Sequence, residues 1–247
     1  MKRVLIKTGA VFFWLLLWQF GAMLANRNLL IPVPTPLDTA AALIRFAGQG
    51  DFWLTAGASL LRICIGFLTA VLLGTLGAIL TARFAVLHAL FEPVLQLIRA
   101  IPVASFTILV FLWINRNHIP SMISFFTVLP IVWANVESGL QSTDTGLVEM
   151  ARVFGMKNRA ILRHIKLPAI RPFFSAAVGS GLGFAWKSGV AAEVICRSQH
   201  SLGNLLWGSK AGVNYEEVFA VTLVIVLLSV ALQGIARAVL KGGKKNA

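Results

Sequence analysis

The chain has 247 residues, 57% of them hydrophobic and only 13% charged, and a mean hydropathy of +0.81. Soluble domains carry about 25% charged residues, so composition excludes a soluble globular class and indicates a polytopic membrane protein. The net charge of +13 does not call for nucleic acid, because the basic residues fall at the ends of apolar segments and do not gather on one soluble face with interleaved aromatics.

In chain order, Lys2, Arg3 and Lys7 precede an apolar run from Ala10 to Phe20. The run reads as a first transmembrane helix entering from the cytoplasm; Ala22 to Ala25 lacks the small-x-small pattern of a cleaved leader. Pro32, Pro34 and Pro36 follow, then a short amphipathic helix from Leu37 to Phe46 in an external segment. The apolar run from Ala56 to Thr81 carries Gly66, Ala70, Gly74 and Ala78 at intervals of four, a row that lets a neighbouring helix approach closely. Arg83 to Gln96 reads as a short inner turn. A third span, kinked by Pro102, is expected from about Leu97 to Ile114, and a fourth from about Ile119 to Val136. A fifth from Phe173 to Cys196 and a sixth from Val218 to Leu240 follow, each near the roughly 20 residues a bilayer needs. On this segmentation fifteen of the 22 Lys and Arg lie on one side, six on the other and one, Lys187, inside a span. That asymmetry puts both termini in the cytoplasm.

Glu149 to Pro168, E-M-A-R-V-F-G-M-K-N-R-A-I-L-R-H-I-K-L-P, is the longest polar interruption. Its six nearby basic residues (Arg152, Lys157, Arg159, Arg163, Lys166 and Arg171) assign it to the cytoplasmic side. Met150, Val153, Phe154, Ile161, Leu162 and Ile165 form apolar stripes at helical spacing, and Gly155 permits a bend, so two short helices around a glycine elbow are expected.

Several features imitate chemistry. Gly181 to Ser188 resembles a phosphate-binding loop, but Trp186 occupies the place of the second glycine and no strand precedes it, so ATP binding by this chain is rejected. Cys64 and Cys196 read as small core residues, and His88, His118, His164 and His200 lie too far apart to suggest a metal. No nucleophile and base stand at workable spacing. Glu216 and Glu217 suit a helix start. An ionisable group at mid-bilayer costs at least about 2.5 kcal/mol, so Lys187 and Glu193 must face a partner or a cavity. The row Ser175, Gly179, Gly183, Lys187 predicts a close-packed face for Lys187, either paired or lining a pore. Glu193 lies nearer the outer end, where it can anchor the outer loop.

Glu149, Ala151, Gly155, Ile165, Leu167 and Pro168 match the E-A-A-x3-G-x9-I-x-L-P loop of binding-protein-dependent ABC importer permeases, with Met150 replacing one alanine. The resemblance implies an all-α, six-helix type I permease fold of the bacterial inner membrane. It also implies that residues 144–170 couple to a separate ATPase, with Ala151 letting the ATPase surface approach, Gly155 allowing the bend and Pro168 ending the segment. Residues 1–55 would form the first helix and external segment, 56–240 the permease core and 241–247 a basic tail. Pro34-Thr35-Pro36 with Asp38, Ser59-Leu60 with Arg62 and Gly66, Arg99 with Ile101-Pro102 and Ala104, Trp186 with Glu193, and Leu202-Gly203 with Leu205 resemble the nitrate, sulfonate and taurine branch. Asn115 to His118, Ser201 and Lys187 depart from it.

The implied partners are two ATPase subunits that bind the ATP and Mg, a second permease copy forming a homodimer, an extracytoplasmic solute-binding protein and the lipid bilayer, with no nucleic acid. The chain itself is expected to hold no cofactor and to be no enzyme. Lys187, Glu193 and Arg62 are the candidate pathway residues. The expected solute is a small anion, with an uncharged pyrimidine-like or vitamin-precursor-like solute as the alternative. An ion-driven secondary transporter, which predicts inverted repeats, and a non-transporting scaffold are the rival classes.

Overall fold

The computed structural model describes residues 2–27 and 32–242, and among these every regular element is helical. The basic tail assigned to residues 241–247 lies almost wholly outside them. The helices are α1 (Lys2–Ala25), α2 (Pro36–Ala47), α3 (Gly50–Arg83), α4 (Ala85–Ala100), α5 (Val103–Phe111), α6 (Ile119–Gln141), α7 (Thr145–Val153), α8 (Asn158–Ile161), α9 (Leu167–Cys196), α10 (Leu202–Ala211) and α11 (Tyr215–Gly242).

The core is the stack of α3 on α6 and α6 on α9. The small-residue row on α3 is buried, as its spacing predicts. At Gly66 an added Cβ would run into the Ser121 carbonyl of α6, and at Gly77 into the Trp133 ring. Two polar links cross the stack: Trp133 Nε1 donates to Thr81 Oγ1 at 3.1 Å and Ser124 Oγ donates to the Ala185 carbonyl at 3.0 Å. Trp186, buried on α9, donates through Nε1 to the Ile225 carbonyl of α11 at 2.9 Å. The stretch that imitates a phosphate loop is thus packed helix.

The amphipathic helix expected near residues 37–46 is α2, started by a capping box. Thr35 Oγ1 accepts from Asp38 N at 3.3 Å, while the Asp38 carboxylate accepts from Thr35 N at 3.0 Å and from its hydroxyl at 2.7 Å. Hydrogen bonds from the Thr35 side chain and then its backbone hold the Asp38 pKa below the usual carboxylate value. The Pro-Thr-Pro-x-Asp pattern is therefore a helix start, with Pro36 in the first turn.

The third span departs from expectation. The supposed inner turn over Arg83–Gln96 is mostly the helix α4, and Pro93 lies inside it. At Ile101-Pro102 the chain turns through 101° into α5, so the predicted kink is a full break: Pro102 lacks the N–H that would continue the ladder and pushes Ile101 into extended geometry (φ −76, ψ 125).

Residues Thr8–Ala25 of α1, together with α3, α6 and residues Tyr215–Leu240 of α11, are long and apolar enough to cross a membrane; α4 with α5 makes a fifth candidate if the bent pair counts as one span. The remaining expected span is α9. It has 30 residues, but its glycines, serines, Lys187 and Glu193 leave it outside the strongly apolar set. A helix of that composition belongs among other helices and not in lipid.

Candidate functional site

At one end of the bundle, Asp144 caps α7, its Oδ1 accepting from Gly146 N at 2.8 Å and Leu147 N at 3.4 Å. The helix ends in a Schellman motif. Gly155 N donates to the Arg152 carbonyl and Met156 N to the Ala151 carbonyl, both at 2.9 Å, and Gly155 sits at φ +73. The expected glycine elbow is this turn. No atom lies within 4 Å of a Cβ built at Gly155, so backbone conformation alone calls for glycine there.

Two of the reasons attached to loop residues are corrected. Ala151 is buried at 7% exposure, so its side chain does not itself present a surface to a partner. The outward residues of α7 and its cap are Leu147, Met150, Val153 and Phe154, the last two 85% and 80% exposed. Pro168 does not end the segment, since it stands in the first turn of α9 and the chain runs from α8 through a π-type turn, Leu162–Lys166, straight into that helix. Glu149, Leu167 and Pro168 are exposed and Ile165 is half-buried.

At the other end lies a buried polar cluster centred on Glu193. Glu193 is fully buried on α9. Its Oε2 accepts from Ser59 Oγ of α3 at 2.9 Å and from Gly203 N at 3.2 Å, and Leu202 N donates to Ser59 Oγ at 2.9 Å. The first amides of α10 are thus met by a hydroxyl and a carboxylate, the favourable sign for a helix N-terminus. Ser201 completes the cap by accepting from Asn204 N at 3.1 Å. Arg62 stands 3.9 Å from Glu193 Oε1 and donates to the Gln199 and His200 carbonyls at 2.8 and 3.2 Å. Arg62 and Glu193, read from the sequence as pathway candidates, are brought together as the anchor of the 197–201 loop. Of the departing residues, Asn117 and Arg116 also join this network: Asn117 Oδ1 accepts from Gln199 N at 2.9 Å, and the Arg116 carbonyl accepts from Ser198 Oγ at 2.7 Å.

Lys187 stands apart. The expected close-packed row is packed only in part: a Cβ built at Gly183 would lie 3.3 Å from Gln233 Nε2 of α11, but nothing lies within 4 Å of one at Gly179, and Lys187 is exposed. Glu193, on the same helix, faces Arg62 at 3.9 Å and Glu137 of α6 faces His88 at 3.1 Å, and neither pairs with Lys187. Ala176, Ser180, Phe184 and Lys187 form one exposed stripe along a helix whose other faces meet α3, α5, α6, α10 and α11.

Sequence reading quotes Arg99 only within the branch resemblance and assigns it no role. The charge count puts it at the inner end of a span, but its Nη2 donates to the Pro130 carbonyl at 3.0 Å, and Pro130 is the twelfth of the 23 residues of α6. Arg99 borders two cavities. One, of about 310 Å³, fills the α4–α5 bend against Phe106, Phe126, Thr127 and Phe184; the other, of about 210 Å³, is polar and holds His88, Glu92, Gln96 and Glu137. The signal was present in the Arg-x-Ile-Pro spacing, a cation one turn before a helix break.

Residues 70–242 match the family model described as "Binding-protein-dependent transport system inner membrane component". A permease protein of Bacillus subtilis named for aliphatic sulfonates transport is 24% identical, the alignment covering 92% of this chain and 81% of that protein. The bicarbonate transport system permease protein of Synechococcus elongatus is also 24% identical, with 94% and 84% covered. Among solved structures, a bacterial alginate ABC transporter in complex with its alginate pentasaccharide-bound periplasmic protein superposes with a TM-score of 0.63 at 13% identity, over 94% of this chain and 92% of that one. On the match over more than two thirds of its length, this chain belongs to the family of binding-protein-dependent transport system inner membrane components, the multi-pass permease subunits of ABC importers.

Proposed function

We propose that this permease lines the import pathway of a small anion, as one of two identical copies, and is driven through residues 144–170 by a separate ATPase that binds the ATP and Mg. A solute-binding protein delivers the solute at the α10 end. The observation that carries the anion reading is Lys187, an exposed cation on the open stripe of α9 with no carboxylate paired to it among the described residues. Its field attracts an anion into a low-dielectric passage, where an uncharged solute gains nothing from it. The aliphatic sulfonates and bicarbonate in the names of the two relatives are consistent with that sign.

The coupling reading is supported by the exposed apolar residues Leu147, Met150, Val153 and Phe154 on α7 and its cap, which offer a helix face for a groove on a partner. The rigid continuation from α8 into α9 would carry movement of that face to Lys187. Glu149, Gly155, Ile165, Leu167 and Pro168 shape this lever. The pathway is tested by uptake in proteoliposomes containing the complete transporter. Lys187→Met should abolish saturable anion uptake while Lys187→Arg retains part of it; unchanged affinity and rate in the Met variant would refute the electrostatic role.

A further inference from the structure

The cavity at the α4–α5 break has a composition that neither the coupling loop nor Lys187 explains. Its walls are Phe106 of α5, Phe126 and Thr127 of α6, and Phe184 of α9, with Ile and Val side chains filling the gaps, and its one charged group is Arg99. Phe106 and Phe126 meet edge to face at 5.3 Å between centroids, so part of the apolar wall is built independently of any ligand. The main-chain break at Ile101-Pro102 is what opens the space. Arg99 gives one Nη2 bond to Pro130, and a guanidinium has five donors, so a fork remains for an acceptor.

Heights along the bundle place this cavity on the Lys187 stripe. Phe184 lines the cavity and lies three residues before Lys187, on the same face of α9. The Ser124–Ala185 hydrogen bond fixes the relative level of the antiparallel helices α6 and α9. Lys187 is two residues beyond Ala185 and Pro130 is six residues beyond Ser124 in the opposite sense. At 1.5 Å per residue the two cations are therefore about 12 Å apart along the axis, with the aromatic wall between them.

We propose that this cavity is a solute subsite, in which Arg99 binds the charged head of a small organic anion of the sulfonate or carboxylate type and Phe106, Phe126 and Phe184 hold its apolar body. It rests on the anion reading above and narrows it to anions with an apolar part. Bidentate geometry makes Arg99 more selective for a planar or tetrahedral oxyanion than Lys187, a point charge. Lys187 attracts the anion and Arg99 receives it. Beyond Arg99 the Glu92 and Glu137 carboxylates favour release over retention.

Equilibrium binding of radiolabelled benzenesulfonate to the purified, full-length permease in detergent tests the subsite. The expected result is saturable binding displaced by hexanesulfonate but not by neutral methyl phenyl sulfone. Arg99→Gln should weaken it at least tenfold and Arg99→Lys, which keeps a donor for Pro130, by less. Phe126→Ala and Phe184→Ala should weaken benzenesulfonate more than methanesulfonate, a selectivity that general destabilisation does not produce. Absence of binding in the unaltered protein, wild-type affinity in Arg99→Gln, or displacement by phosphatidylglycerol instead of hexanesulfonate would each overturn the proposal. Binding requires neither ATP nor a partner, so a failure of the coupling reading leaves this result intact. A Lys187→Met variant that binds normally but imports nothing separates capture from passage.

Discussion

Glu193 on α9 accepts a hydrogen bond from Ser59 on α3 at 2.9 Å across 134 positions of sequence, and the same hydroxyl accepts from the first amide of α10. One hydroxyl thus joins two long helices of the bundle and the short helix α10. Because the carboxylate is fully buried, its removal leaves Ser59 Oγ and Gly203 N without their acceptor and Arg62 without its nearby counter-charge. Glu193→Ala is expected to destabilise the fold by about 2–3 kcal/mol and Ser59→Ala by about 1 kcal/mol. In a double-mutant cycle read by unfolding in detergent, the two should fall short of additivity by at least about 0.5 kcal/mol. Strict additivity would show that the two groups are not coupled.

Gly155 is needed for its positive φ and not for space. Gly155→Val should cost about 1–2 kcal/mol in the α7 cap, while Gly155→Asn, which tolerates the left-handed region, should cost less. The check is solute-stimulated ATP hydrolysis by the complete transporter: uncoupling in the Val variant with near-normal coupling in Asn is expected, and equal behaviour of the two removes the role of the bend.

Ala151 and Phe154, three residues apart, should fail in different ways. A larger side chain at the buried Ala151, as in Ala151→Leu, should lower the unfolding temperature, consistent with an overpacking cost of about 1–3 kcal/mol. Phe154→Asp and Met150→Asp should leave that temperature unchanged but abolish copurification of the ATPase. An ATPase retained at full stoichiometry by both acidic variants would mean that α7 is not the docking face.

On α3, Gly66 and Gly57 make a matched pair. Gly66→Ala should sharply reduce the amount of folded protein, because its methyl meets the Ser121 backbone; Gly57→Ala, where a Cβ meets nothing within 4 Å, should not. Size-exclusion profiles of the two variants are the readout, and an intact Gly66→Ala profile would contradict the close α3–α6 approach.

The topology is open to labelling with a membrane-impermeant thiol reagent. Single cysteines at the exposed positions Gln49 and Asn158 should react from opposite faces of intact cells. Reaction of both from outside would be incompatible with a cytoplasmic 144–170 segment.

Local rules carried much of this protein. Hydropathy and the positions of Lys and Arg identify a membrane bundle, because the bilayer imposes length and charge on every span separately. The α2 start was legible in Pro34 to Asp38, and the small-residue row of α3 named its own packing face, because capping and close approach depend on spacing within one element. What the sequence left open depends on which helices meet. Arg62, Glu193 and Lys187 look alike in a linear reading as charges in apolar surroundings, yet the fold sets the first two against each other beneath the 197–201 loop and leaves the third on an open stripe. Arg99 looks like an end-of-span charge until the break at Ile101-Pro102 swings it against the middle of α6. Ala151 is buried, and no pattern within residues 144–170 specifies that. The bilayer acts on each segment separately; the pairing of a buried charge depends on the partner that another helix presents, and only tertiary packing supplies that partner.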